Sequence, residues 1–151
     1  MTTEEQTDNI AASLYTVVVG CGRLGSLLAN RLSRRGHSVV VVDVNRSSFG
    51  KLSPEYSGFH VEGDATELAV LEEAKVSKAD LVIATTREDN VNLMVAQIAG
   101  KVYSVPRVIA RVFTPAYEES YRRMGVEVIC PTREAARLFL EAVDHEEAVA
   151  E

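Results

Sequence analysis

From about residue 15 the chain alternates short apolar, β-branched runs with longer amphipathic stretches. The runs are 16–19, 38–43, 58–61, 79–85, 107–112 and 127–129, and valine and isoleucine dominate them. Several are apolar without alternation, as expected of strands buried on both faces of a parallel sheet. The intervening stretches read as helices. Residues 24–35 place Leu24, Leu27, Leu28 and Leu32 on one stripe, and Gly36 ends them. Residues 66–74 place Leu68, Leu71 and Ala74 together, and 88–99 open with acids that suit the positive end of a helix dipole. Residues 115–124 start with proline, and a last helix over about 133–143 carries Leu138, Phe139, Ala142 and Val143 on one side. This β-α-β-α order predicts an α/β fold: a doubly wound parallel sheet, strand order 3-2-1-4-5-6, in a single domain with a C-terminal helix.

Charge separates the ends from the middle. Eight of the 22 acids lie in residues 1–14 and 141–151, which hold no base. The remaining 14 acids face all 16 bases in between, so the middle is mildly basic at about +2. Residues 1–13 read as an acidic leader, 14–143 as the domain and 144–151 as an acidic tail. No dense basic stripe marks a nucleic-acid binder. Apolar residues at 46% and a length of 151 suit one core but leave little chain for a separate catalytic domain. No apolar run approaches the ~20 residues of a membrane span, and the polar start is unlike a secretory signal. The chain is read as cytoplasmic, reaching a membrane only through a partner.

The chemistry is concentrated in Gly20-Cys21-Gly22-Arg23-Leu24-Gly25. A bare G-x-G-x-x-G is a weak signal. Here it follows a strand and opens a helix, and a second strand ends at Asp43, 18 residues after Gly25. Gly20 permits the turn, Gly22 lets phosphate oxygens approach the backbone, and Gly25 lets the helix pack on the sheet. The helix start favours an anion. Asp43 is placed to accept ribose hydroxyls and to repel a 2′-phosphate, which disfavours NADP. Arg23 either clamps phosphate or points away as a surface arginine. Asp64, in Gly63-Asp64-Ala65-Thr66, either meets an adenine amino group or caps the following helix. Ala84-Thr85-Thr86 ends the fourth run beside the switch point, with room for a nucleotide.

Other chemistries lack their residues. No G-x-x-x-x-G-K-[ST] phosphate loop and no G-x-S-x-G elbow occur. No tyrosine has a lysine four positions on. His37, His60 and His145 have no metal-ligand spacing. Cys21 and Cys130 read as small apolar groups, although a thiol in the glycine loop is also a candidate for redox sensitivity.

The combined pattern resembles the TrkA-N, or RCK N-terminal, domain of the Trk/Ktr potassium-uptake regulators. The resemblance rests on the glycine loop, Val42-Asp43-Val44-Asn45, Gly63-Asp64-Ala65-Thr66, Ala79-Asp80-Leu81-Val82-Ile83-Ala84-Thr85, Asp89-Asn90-Val91-Asn92, Pro106-Arg107-Val108-Ile109-Ala110-Arg111 and Gly125-Val126-Glu127-Val128-Ile129-Cys130-Pro131. It implies a Rossmann-like domain that binds AMP, ADP, ATP or NAD(H). It also implies a homodimer or higher oligomer, on the cytosolic face of a membrane-embedded potassium channel or transporter. By likeness Gly22, Arg23 and Leu24 line the phosphates, and Asp43 holds the ribose with Asn45 and Arg46 at the rim. Asp64 and Ala65 face the adenine, and Thr85 closes the ribose side. Arg111 matches a family arginine with no role attached. The members' second regulatory domain is not in these residues, which is compatible with a separate chain supplying it. Thr132 stands after Pro131 where some members carry an acid, so a metal-assisted ATP site is not carried over.

The leading expectation is therefore a nucleotide-sensing regulatory subunit without enzymatic activity. The alternative is a small NAD-dependent oxidoreductase, for which no proton donor is evident. The apolar strip of the last helix has two readings: packing on its own sheet, or contact with a second copy.

Overall fold

The computed structural model describes residues 12–149, so most of the acidic leader lies outside the described residues. Six parallel strands form one sheet in the order β3-β2-β1-β4-β5-β6, as the alternation predicts. They are β1 (Tyr15–Val19), β2 (Ser38–Asp43), β3 (Phe59–Glu62), β4 (Leu81–Ala84), β5 (Arg107–Arg111) and β6 (Glu127–Ile129). The helices are α1 (Arg23–Arg34), α2 (Leu68–Glu73), α3 (Asp89–Gln97), α4 (Glu118–Arg123) and α5 (Pro131–Val149). The central strands are buried on both faces. Val17, Val19, Val40 and Val42 join the larger core, while Val18, Val39 and Val41 pack on the other side with Cys21 and Ala29. That two-sided burial explains the unbroken valine runs of β1 and β2.

Several helices depart from the periodicity. The face that α1 buries is Gly25, Ser26, Ala29 and Ser33, not the leucine stripe, and Leu27 is half exposed. The helix lies too close to the sheet for larger groups, so Leu24, Leu28 and Leu32 flank the contact instead. In α2, Val70 and Leu71 are buried while Leu68 is half exposed. A 3-10 turn over Arg46–Lys51 follows β2, and α3 runs into a π-helical turn over Ile98–Val102.

The last helix differs most. It starts two residues earlier than expected, at Pro131, and continues through Val149. Among the described residues, only its first turn is anchored. Buried Glu118 of α4 pairs with Arg133 and, at 3.1 Å, with Arg122. The Thr132 hydroxyl donates to the Phe113 carbonyl at 3.4 Å. Beyond that turn Leu138, Phe139, Leu140 and Val143 are between 54% and 75% exposed, so the strip does not pack on its own sheet.

Candidate functional site

The site is built where β1 gives way to α1. Gly20 turns the chain at φ +99°, a region closed to most side chains. Its N–H donates to Val42 O at 2.7 Å, and Thr85 N–H donates to Val19 O at 2.8 Å. The loop is thereby held between the ends of β2 and β4. A Cβ on Gly25 would sit 1.7 Å from Gly20 O, so that glycine is required by the packing of α1. Gly22 is different, because a Cβ there meets nothing within 4 Å. The first helical bond runs from Ser26 N–H to Gly22 O at 2.9 Å. Among the described residues, the amides of Arg23, Leu24 and Gly25 have no acceptor. No side chain caps the helix, and no acid lies in its first turn. An uncapped, positively polarised helix start thus faces open space.

That space is a cleft of about 1000 Å³ across the carboxyl ends of the strands. Gly20, Gly22, Arg23, Leu24, Asp43, Asn45, Asp64, Ala65 and Thr85 all line it. Two residues named for the site do not. Gly25 is buried beneath the loop, and Arg46 is an exposed residue that opens the 3-10 turn outside the cleft. The chain turns away after Asn45, whose side-chain oxygen accepts from Ser47 N–H at 3.1 Å and from the Ser47 hydroxyl at 2.7 Å.

The acids already have work in the fold. Asp43 Oδ2 accepts the Cys21 N–H and Oδ1 the Asn45 N–H, each at 2.8 Å. Its carboxylate fastens the glycine loop to β2 and retains lone pairs toward the cleft. Asp64 Oδ1 accepts Thr66 N–H at 2.9 Å and the Thr66 hydroxyl at 2.7 Å, and these bonds hold its carboxyl below the usual range. These bonds close a turn over residues 64–66 and do not cap α2, whose N-cap is Glu67 with no side-chain hydrogen bond, so the capping expectation for Asp64 is not met. Thr85 is buried, and its hydroxyl faces Val19 O (3.0 Å) and Gly20 O (3.2 Å), bracing the loop from beneath. The Cys21 thiol is fully buried 3.4 Å from Ser48 O; burial first, then the Asp43 charge, pushes its pKa up. Such a thiol is poorly nucleophilic, which disfavours the redox reading.

The half of the cleft over β4 and β5 was largely missed. Thr86, Arg87, Glu88, Val91, Arg111 and Phe113 line it. Arg111 Nη2 donates to the Thr85 carbonyl and, at 3.0 Å, to the Thr86 carbonyl. Its guanidinium lies 4.4 Å from the Phe113 ring centroid, and burial lowers its pKa. Fully buried Asn92 ties the same corner together, donating to Thr86 O and Arg111 O at 3.0 Å each. The available signal was positional: Arg111 and Thr86 both stand at carboxyl ends of strands, where open α/β sheets meet ligands.

Known proteins share this fold. The model of the TrkA-N domain matches residues 16–131. A Trk system potassium uptake protein TrkA from Streptomyces coelicolor is 34% identical over 127 residues, 84% of this chain and 57% of the relative. A TrkA homolog from Methanothermobacter thermautotrophicus is 37% identical over 124 residues, again 57% of its own length. The chain therefore spans little more than half of these relatives. The crystal structure of the TrkA-N domain of the Escherichia coli inner membrane protein ybaL superposes with TM-score 0.77 at 25% identity, covering 87% of this chain and 98% of that one. GsuK structures bound to ADP and to NAD superpose at 0.67 and 0.64, with 25% and 26% identity, covering 82% and 79% of this chain but 33% and 22% of theirs. With the motif, the sheet order and the matched family model in agreement, the chain belongs to the TrkA-N domain family.

Proposed function

We propose that the chain is the nucleotide-binding part of a regulatory subunit of a potassium channel or transporter, and that it works by binding rather than by catalysis. The observation that carries this is the uncapped start of α1 beside a Gly22 that the fold leaves without neighbours. A phosphate there would take the free amides and the Arg23 guanidinium. The ribose would meet Asp43 and the adenine would meet Asp64 and Ala65, with residues 14–143 forming the binding unit. The adenine nucleotides are AMP, ADP, ATP and NAD(H); the carboxylate at Asp43 opposes the 2′-phosphate of NADP. ADP and NAD in the GsuK structures support this range. A second copy of the chain would cover the apolar strip of α5, and the channel subunit would hold the assembly at the cytoplasmic membrane face. Ligands with different phosphate tails would then shift the geometry of the pair by their differential affinity for its states.

A thermal-shift panel of AMP, ADP, ATP, NAD⁺, NADH and NADPH tests the binding step, with mass spectrometry of any nucleotide released on denaturation. A ligand at 100 times its Kd adds about 2.7 kcal/mol, or roughly 5–10 °C for a domain of this size. Stabilisation by adenine nucleotides but not by NADPH is expected. No shift and no released nucleotide would overturn the reading. Reconstituting the cognate transporter with and without the subunit tests the regulatory step, where unchanged potassium flux would count against it.

A further inference from the structure

The outward face of α1 is basic, with no acid of its own to balance it. Arg23, Arg31, Arg34 and Arg35 are all exposed, and helical periodicity puts them on the side opposite the buried Gly25, Ser26, Ala29 and Ser33. No Asp or Glu occurs in Arg23–Arg34. Among the described residues, only Arg34 of these four has a carboxylate within ion-pair distance, Glu55 at 4.0 Å, and both side chains are largely exposed. The helix dipole accounts for Arg31 and Arg34 in the last turn, but it opposes a cation at Arg23 in the first.

The residues that precede the described fold carry the opposite charge. Residues 1–11 hold Glu4, Glu5 and Asp8 and no basic side chain. They join the fold beside the end of α1. The Ser13 hydroxyl donates to Gly36 O at 3.0 Å, and Leu14 N–H donates to His37 Nδ1 at 3.0 Å. The acids of residues 144–151 have no such start, because α5 carries them from the edge strand β6. From Ser13 an extended chain covers about 3.3 Å per residue, whereas α1 rises about 1.5 Å per residue. Asp8 can therefore reach past Arg31, and Glu4 and Glu5 can reach Arg23 at the far end.

We propose that residues 1–11 dock on the arginine face of their own chain's α1, running from the Gly36 end toward Arg23. Asp8 then lies among Arg31, Arg34 and Arg35, and Glu4 and Glu5 lie near Arg23. Exposed ion pairs of this kind are individually weak and screened by salt. Three acids on one tethered segment act together, because attachment at Ser13 keeps their effective concentration high. Arg23 also lines the cleft. The docked segment therefore sets carboxylates at the cleft mouth, where they compete with an incoming anion, and docking itself requires no ligand.

Thr3→Cys carrying a nitroxide spin label reads this docking in the full chain, since Cys21 and Cys130 are buried. Amide resonances of residues 23–28 should lose the most intensity. A segment tethered at Ser13 but otherwise free would instead broaden residues 36–38 most. The pattern over 23–28 should vanish when Glu4→Gln, Glu5→Gln and Asp8→Asn are combined, a change that leaves every described residue as it is. It should vanish equally with Arg31→Gln, Arg34→Gln and Arg35→Gln combined, and in about 1 M NaCl, where the Debye length is about 3 Å. Broadening centred on 36–38, or a pattern over 23–28 that survives the charge changes on either side, would overturn the docking. So would two other occupants of the face. Broadening of isotope-labelled chains mixed with separate spin-labelled ones would place a second copy's segment there. Sedimentation with phosphatidylserine vesicles that the arginine changes abolish would show the face open to an anionic membrane.

Discussion

Gly22→Ala separates what the loop does for the fold from what it does for a ligand. A methyl at Gly22 meets no atom within 4 Å, and the backbone there, φ −79° and ψ −162°, is open to alanine. The fold-side effects are two and opposed. Alanine is a poorer N-cap than glycine, at about 0.5–1 kcal/mol, and a stiffer unfolded chain returns about 0.4–1 kcal/mol. The net change in stability should be within about 0.5 kcal/mol, or roughly 1–2 °C in Tm. On the ligand side the methyl projects into the space that phosphate oxygens need, beside the free amides of Arg23 and Leu24. A loss of at least tenfold in nucleotide affinity is expected, about 1.4 kcal/mol. In a melting assay a ligand held at 100 times the wild-type Kd would then act at 10 times the variant's, and its stabilisation would fall from about 2.7 to about 1.4 kcal/mol. The two melts without nucleotide should coincide and the two melts with it should not. If Gly22→Ala binds AMP and ADP like the wild type, the start of α1 is not the phosphate site.

Asp43→Ala should lower stability even without nucleotide, because it removes acceptors from the Cys21 and Asn45 amides; about 2–3 kcal/mol is expected, read from urea melts, and an unchanged midpoint would show that these bonds do not hold the loop. Glu118, whose carboxyl is held below 4.5 chiefly by its hydrogen bond from Arg133, stabilises the fold above its unfolded pKa and loses that contribution as pH falls through the lower folded one. Glu118→Gln should therefore melt lower than wild type at pH 7, with the gap closing on acidification below about pH 4; a constant gap in Tm would contradict the linkage. Neither Cys21 nor Cys130 should react with a thiol reagent in the native state except at the rate of unfolding, since both are buried; rapid labelling of Cys21 would show that the loop opens. Phe139→Asp, on the exposed strip of α5, should change the stability of dilute protein by less than about 0.5 kcal/mol yet convert an oligomer to a monomer in light scattering; wild-type protein that is monomeric at tens of micromolar would refute the role given to the strip.

The sheet order was legible because the valine runs are continuous and the crossovers have one hand. The glycine loop was legible because its context is local. What periodicity could not supply was the identity of the surface each helix meets. In α1 the leucines form the more hydrophobic stripe, yet Gly25, Ser26, Ala29 and Ser33 face the sheet. The lack of room for any Cβ at Gly25 decides this, and that constraint belongs to the fold, not to the helix. In α5 the apolar strip announces burial but not the partner, and within the described chain it has none. Arg111 is visible as a strand-end arginine, but its hold on the Thr85 and Thr86 carbonyls is set by the fold and not by local sequence. The 3-10 turn after β2 has no apolar periodicity to mark it, because a single side chain, Asn45, starts it. That same turn carries Arg46 out of the cleft.

The named site residues fall into two kinds, and only one kind can report a ligand cleanly. Gly20, Gly25 and Thr85 are demanded by the loop's own packing: a positive φ, a position where any Cβ would fall 1.7 Å from Gly20 O, and a buried hydroxyl facing two carbonyls. Asp43 belongs half to this group, since each of its oxygens already accepts a backbone amide. Substituting any of these weakens the fold and the ligand site together, so lost binding would prove little. Gly22, exposed Arg23 and exposed Arg87 are different, because the fold makes no recorded use of their particular side chains among the described residues. A protein under no demand beyond folding would be free to place serine, aspartate or asparagine at position 22, where a cap would stabilise α1 by about 1 kcal/mol over an uncapped start. The cap would also fill the concavity where these free amides meet the cleft. Leaving that helix end bare, with the Arg23 cation at the next residue, gives up local stability, and the proposed nucleotide phosphate is what would offset it.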